Sequence, residues 1–377
     1  MSGEPAMSGD GARAELTIDL GALADNWRKL AETAVGAECA AVVKADAYGV
    51  GAEPAVRALA RAGCRTFFVA HTSEGARARA ALGAGEGFRI FVLNGGALDA
   101  AAPSAYAEHG LRPVLGSLAE IEAWGARGGG SAAALHIDTG MNRLGISSGD
   151  IDRALALAAT GGFRFELAMS HFVSSEEPAD PLNDRQIDAF RKALEKLPGV
   201  AASLANSSGV FLPQKPFFDL VRPGYALYGG NPLPGQPNPM RPVVRLVAPI
   251  IQLRDIAPGA TVGYNGQWTA KRPTRLATIG VGYADGFPRN LMATESRAGG
   301  EAMVLSQRCR FAGRVSMDLI VIDVTDVRDT ALALGTPVEL LSENIGVDDV
   351  GARAGTIGYE VLTSLGRRYR RRYIGGV

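Results

Sequence analysis

Eight short β-rich segments follow one another between Cys39 and Gly229, and stretches of helical spacing part them. The segments read "CAAVVKA", "TFFVA", "FRIFVLN", "LRPVLG", "ALHIDTG", "FRFELAMSHF", "VAASLANS" and "FFDLVRPGYALYG". The intervening "PAVRALARAG", "SEGARARAAL", "SLAEIEAWGA" and "NDRQIDAFRKALEKL" carry the apolar period and the Ser, Asn or Asp caps of crossover helices. Eight such units within about 200 residues predict a parallel (β/α)8 TIM-type barrel at the small end of its usual size. A doubly wound open sheet is the alternative, but no G-x-G-x-x-G follows the first segment.

The alternation stops at "GGNPLPGQPNPMRP", where Pro232, Pro234, Pro237, Pro239 and Pro242 exclude regular helix and central strand. Beyond it lie "VVRLVAPIIQLRDI", "TRLATIGVGYA", "FAGRVSMDLIVIDVTDV" and "PVELL", parted by turn residues and followed by a short helical C-terminus. The fold class is therefore α/β plus β: a barrel over residues 20–240, then a mainly antiparallel β domain over 241–377. The alternating "AELTID" suggests that residues 12–19 join the second domain's sheet. A chain of 377 residues suits two domains of about 150 residues each.

Lys+Arg and Asp+Glu both number 39, so the charge balance favours neither nucleic acid nor an anionic membrane. The arginine-rich "RRYRRRY" near the C-terminus reads as solvated surface or an interface element. No basic-then-apolar leader opens the sequence and no apolar run approaches a membrane span, which predicts a cytoplasmic protein. Cys39, Cys64 and Cys309 are far apart and odd in number, so they are expected to be reduced thiols. His71, His109, His136 and His171 stand singly, which speaks against a metal site.

In a (β/α)8 barrel the C-terminal ends of the strands form the functional face. Lys44, Asn94, Asp138, Arg143, His171, Asn206, Ser207 and Arg222 fall at or just past such ends. The turns "ANSSG" and "RPGYALYG" offer hydroxyls and exposed amides where barrels commonly bind phosphate. A lysine on the first strand facing such a cradle is the layout pyridoxal 5'-phosphate needs, its amine condensing on the aldehyde.

"AVVKADAYGVG", "HIDTGMNRLG", "SHF", "ANSSG", "RPGYALYG", "GYADGFPR", "GRVSMD" and "GYE" occur in an order and spacing similar to those of the alanine racemases, pyridoxal-phosphate enzymes of fold type III. The resemblance spans residues 14–375. It implies interconversion of L- and D-alanine by a homodimer whose active sites take residues from both chains. Lys44 would hold the cofactor and act as acid and base on one face of the substrate Cα, with Tyr48 near the phosphate. Tyr264, from the other chain, would serve the opposite face. An ordinary phenol is a poor base near neutral pH, so positive neighbours are required, and the resemblance implies His171 relaying to Arg222.

Arg222 would face the pyridine nitrogen as a donor that keeps its own proton, weakening the ring as an electron sink and favouring racemisation over transamination. The resemblance also implies Arg143 and the Met317 backbone on the substrate carboxylate, with Asp318 beside it, Met317 and Asp318 coming, like Tyr264, from the other chain. Tyr283 would line the site. Asn206 joins the cofactor set, and Tyr359 and Ser207 would meet the phosphate beside the Gly224 and Tyr225 backbone.

Two positions depart from the pattern. His136 stands where many members carry a carbamylated lysine bracing the arginine, so either His136 braces Arg143 or a bound anion fills the gap. Ser203 stands where some members have a histidine supporting the cofactor-facing arginine. Three other functions would each leave a mark in the sequence. A fold type III decarboxylase would carry an acidic partner for the pyridine nitrogen and a cysteine at the site. A broader-specificity racemase would accept serine, and a non-enzymatic pyridoxal-phosphate carrier would lack the β domain.

Overall fold

The computed structural model describes residues 14–83, 87–94, 102–127, 132–328 and 330–376, so residues 12, 13, 329 and 377 of the expected β domain lie outside the described residues. Two compact units divide it, Leu20–Val243 with residues 375–376, and residues 14–19 with Val244–Ile374.

In the first unit, Ala41–Val42, Thr66–Val69, Arg89–Val92, Arg112–Leu115, Ala132–His136, Arg164–Met169 and Ala201–Ser203 lie side by side in one parallel sheet. The eighth segment, Leu220–Val221, pairs in parallel with Glu38–Cys39, which runs straight into the first strand. Backbone bonds close the ring. Ala40 N donates to Val221 O at 2.9 Å and Val42 N to Pro223 O at 3.0 Å; on the other side Asp219 N donates to Ala202 O and Arg222 N to Ala205 O. All eight apolar segments thus enter the barrel. They could be read because parallel strands covered by helices are buried on both faces, as in the wholly buried Thr66–Val69.

The covering helices follow their local signals. Ala52–Ala62 buries Ala55, Val56, Ala58 and Leu59 on one stripe. Ser117 Oγ accepts from Glu120 N and starts Leu118–Ala126. The helix read from "NDRQIDAFRKALEKL" begins earlier, at Pro181, because Asp180 accepts from Leu182 N and proline suits the first turn.

The second unit is built on the long strand Val244–Ile256. It pairs antiparallel with Glu15–Asp19 and Pro337–Leu341, and past an irregularity between Ile250 and Gln252 with Thr274–Ile279. Residues 15–19 therefore do lie in this sheet. The expected helical C-terminus is corrected: helices Val347–Ala354 and Gly358–Ser364 precede a final strand, Arg370–Ile374, parallel to Glu15–Asp19. Its exposed arginines line the sheet edge, and charge there opposes pairing with another edge.

Candidate active site

Lys44 stands where the first barrel strand ends. Burial, then the neighbouring Arg143, pull its ammonium below the usual lysine range, while Glu74 pulls the other way. A lysine biased toward the free amine is a better nucleophile toward an aldehyde. Immediately after it, Ala45, Asp46, Ala47 and Tyr48 all have positive φ, between 52° and 55°. Tyr48 is buried and stacks on Tyr228 with ring centroids 4.7 Å apart, and Tyr228 Oη donates to Val42 O at 2.9 Å. The lysine is therefore anchored from both sides of its backbone.

Tyr48 also reaches the turn after the eighth strand. A Cβ on Gly224 would come within 2.4 Å of Tyr48 Oη, so only glycine leaves room for that hydroxyl. Ser207 Oγ accepts from Gly224 N at 3.0 Å and Ala226 N at 3.1 Å, joining the turns after the seventh and eighth strands. The Ser207 and Tyr48 hydroxyls that meet at this turn are groups that can bind a phosphate, and they lie on the same barrel unit as the Lys44 amine. Tyr225 is buried in this turn. Asn206 Oδ1 accepts from Ser175 Oγ and Gly209 N, so its carbonyl oxygen shapes the loop.

Arg222 is 4% exposed. Its Nη1 donates to Ser203 Oγ at 2.5 Å and its Nη2 to Ser170 O at 2.6 Å, and the guanidinium lies 5.8 Å from the Phe68 ring centroid. Burial pulls it down to about 9, still protonated at neutral pH. No carboxylate or cysteine bonds to it among the described residues. The three cysteines are buried and free.

His171 lies in the field of Arg222, Arg143, Lys44 and His136, and burial followed by these charges pulls it to about 3. Burial and Arg222 pull His136 to about 4, against Asp138. Both rings are neutral at physiological pH. No hydrogen bond joins His136 to Arg143 among the described residues. Arg143 is carried by a loop braced instead by Asp138, whose Oδ1 accepts from Gly140 N, Met141 N and Asn142 N. Gly145 closes that loop at φ 109°, where a Cβ would meet Asp138 N at 2.6 Å.

In the β unit, Tyr264 is 68% exposed and Met317 54%, and Tyr283 is also exposed. Tyr283 N donates to Ser316 O and Ala284 N to Met317 O, binding the "GYADG" and "VSMD" loops together. Gly282 permits this, because a Cβ there would fall 2.3 Å from the carbonyls of Ser316 and Met317. Asp318 pairs with Arg368 at 2.8 Å. Tyr359 is half-buried on Gly358–Ser364.

Two contributors escaped the motif reading. Gln186, fully buried on a helix, donates to Thr139 Oγ1 and His171 O and accepts from Val173 N, so it ties two rim loops together. Glu74 accepts from Ala45 N at 2.6 Å. The sequence signal for Gln186 was slight, a polar residue among the apolar Ile187, Phe190 and Ala193 on a buried helix face that also carries Asn183.

The family model "Alanine racemase, N-terminal domain" matches residues 18–232, and "Alanine racemase, C-terminal domain" matches 243–373. The alanine racemase of Methylobacterium sp. (strain 4-46) is 56% identical over 98% of this chain and 99% of its own. That of Methylobacterium nodulans is 53% identical over 98% of both chains. The alanine racemase structure from Bartonella henselae, with covalently bound pyridoxal phosphate, superposes with a TM-score of 0.88 at 38% identity, over 96% of this chain and 100% of that one. With both family models matched in sequence and the barrel and β units in place, the chain belongs to the alanine racemase family.

Proposed function

We propose that the protein is a pyridoxal-phosphate-dependent alanine racemase, with the cofactor held covalently by Lys44 and alanine as substrate. The observation that carries this reading is the Lys44 amine, biased toward its neutral form, on the same barrel face as the Ser207–Gly224 cradle and the buried Arg222.

Bound pyridoxal phosphate supplies an aldehyde for the substrate amine and an electron-withdrawing ring that acidifies the substrate Cα–H. The chain's residues then have the following tasks. Ser207, Tyr48 and the amides of Gly224 and Tyr225 would hold the phosphate; Asn206 shapes the turn beside it. Arg222 donates toward the ring nitrogen and, staying protonated, leaves that nitrogen without a proton. Ser203 and Ser170 fix the guanidinium so that it cannot turn away. Arg143, together with the Met317 backbone and Asp318 of a second copy of the chain, would orient the substrate carboxylate, and Tyr283 would line the site. Lys44 Nζ takes or returns the Cα proton on one face. The Tyr264 hydroxyl, from a second copy of the chain, does so on the other, with neutral His171 passing the influence of Arg222 toward it.

The exposed Tyr264, Tyr283 and Met317 support a homodimer, since such side chains gain by being covered at an interface. The bonding of Arg222 to Ser203 and Ser170 favours racemisation over decarboxylation, which wants an acid at the ring nitrogen. We assign the activity to the cytoplasm, where it would supply D-alanine to peptidoglycan or feed alanine catabolism. No described helix is long and apolar enough to cross a membrane.

The deciding experiment incubates the purified protein with L-alanine, and separately with L-serine, with and without added cofactor, and measures D-isomer and released carbon dioxide. Racemisation of alanine, and borohydride fixation of the cofactor on Lys44, are expected. Carbon dioxide without D-alanine would establish the decarboxylase, and equal rates on serine the broader racemase.

A further inference from the structure

Lys44 is followed by a turn that L-residues rarely adopt. Ala45 (φ 54°, ψ 50°), Asp46 (55°, 45°) and Ala47 (53°, 55°) form a left-handed helical turn, and Tyr48 keeps φ at 52°. None of the four is glycine. The Cβ crowding disfavours each such residue by roughly tenfold, and a run of them persists only where the surroundings over-determine it. Backbone bonds within the segment, Ala47 N to Val43 O and Gly49 N to Ala45 O, are no better than a right-handed turn would provide.

Three external anchors are present. Tyr48 is stacked on Tyr228. Asp46 Oδ1 accepts from Ala52 N at 3.0 Å and Arg77 Nη2 at 2.7 Å, and Arg77 is tied in turn to Glu53. The third acts on Ala45, the residue next to the lysine. Glu74 sits in the first turn of the helix Thr72–Leu82, and its Oε2 accepts from Ala70 N at 2.8 Å and His71 N at 3.2 Å. An acid at this helix position commonly reaches back to the amide that precedes the helix. Here one oxygen satisfies that need, and Oε1 is left to take Ala45 N at 2.6 Å, across 29 residues of sequence. The same carboxylate therefore joins the ends of the first and second barrel strands.

We propose that Glu74 is a positioning residue for Lys44, holding the left-handed turn through the Ala45 amide so that the lysine stem leaves the strand end in one direction. This rests on the reading of Lys44 as the lysine that holds the cofactor. Glu74 touches neither substrate nor cofactor in this role; it acts through the backbone of Ala45.

The test uses Glu74→Gln, which keeps size but turns an amide NH2 toward one set of backbone donors, and Glu74→Asp, which keeps charge but withdraws the carboxylate by one methylene. Each is also combined with Ala45→Gly, since glycine enters the left-handed region without the Cβ penalty. Three quantities are read: hydrogen exchange of residues 45–52, affinity for pyridoxal phosphate, and the residue labelled by borohydride. Both single variants should exchange about tenfold faster in this segment, with the rest of the barrel unchanged, and bind the cofactor about tenfold more weakly, the loss of one charge-assisted bond. Adding Ala45→Gly should recover most of both losses. Parental exchange and affinity in Glu74→Gln and Glu74→Asp would overturn the proposal. So would faster exchange spread over the whole barrel with no rescue by glycine, because that is general destabilisation. A borohydride label away from Lys44 in the parent sinks the underlying reading instead, whatever the Glu74 variants do.

Discussion

Arg222 Nη1 donates to Ser203 Oγ at 2.5 Å, and the same hydroxyl donates onward to Leu220 O at 2.5 Å. Ser203 is fully buried, so one small side chain both satisfies a guanidinium N–H and ties it to the strand that carries it. Ser203 thus supplies Arg222 with a partner from within the barrel.

Ser203→Ala should leave a buried, charged donor without its acceptor, at a cost of about 1–3 kcal/mol. Ser203→Thr, which keeps the hydroxyl, should recover most of it. Denaturant unfolding of the two variants measures the stability, and the visible absorbance of the bound cofactor reports whether Arg222 has moved. Equal stability and an unchanged spectrum in Ser203→Ala would show the hydroxyl to be incidental.

His136 and His171 make stability depend on pH in a definite direction. Their folded values, about 4 and about 3, lie below the usual value near 6.5, so between those limits the unfolded chain binds more protons than the native one. Stability should therefore be full above about pH 7 and fall as the solution is acidified. From pH 7.5 to 5 the loss is at most about 2 kcal/mol per histidine. His136→Gln, which removes one such group outside the proposed proton path, should flatten the slope of the urea midpoint against pH. An unaltered slope would mean that the ring is not held neutral by its surroundings.

Much of this was legible in the sequence, and the reason differs from part to part. The eight barrel segments could be read because burial on both faces leaves continuous apolar runs such as "TFFV", and the domain change because five prolines crowd one stretch. Lys44, Arg222 and the Ser207–Gly224 turns sit at strand ends, and position along a strand is a local property. The left-handed turn was not legible: "ADAY" contains no residue that asks for positive φ except Asp46, and the conformation is imposed by Glu74, Arg77 and Tyr228. Gln186 was hidden for the same reason, as its partners Thr139, His171 and Val173 lie on loops outside its own helix. The final strand was misjudged because its pairing partner, Glu15–Asp19, is at the opposite end of the sequence.

Arg368 should tune substrate binding although it is an exposed arginine. Its Nε meets Asp285 Oδ1 at 3.2 Å and its Nη2 meets Asp318 Oδ1 at 2.8 Å, so it clasps the "GYADG" loop to the loop that presents Met317. Exposed ion pairs add little to stability, and the expected effect is on geometry instead. Arg368→Gln should raise the KM for alanine several-fold, about 1 kcal/mol of lost ground-state binding, with kcat within about twofold. Steady-state kinetics decide it; an unchanged KM removes the clasp from the substrate site.

The proposed sharing of the active site gives the most discriminating expectation. If Lys44 of one chain works with Tyr264 of another, Lys44→Ala and Tyr264→Phe homodimers each lack one proton carrier in both sites, and both should be severely impaired. A two-fold dimer repeats the same contacts on its two sides. In a mixed dimer, one site then loses both residues while the other pairs an intact Lys44 with an intact Tyr264. Activity should return to about half that of the parent per mixed dimer, provided that the chains exchange. Native mass spectrometry verifies exchange, and the racemisation rate of the mixture reads the rescue. Exchange without rescue would place both carriers on one chain, because only then does every site in the mixed dimer carry a defect.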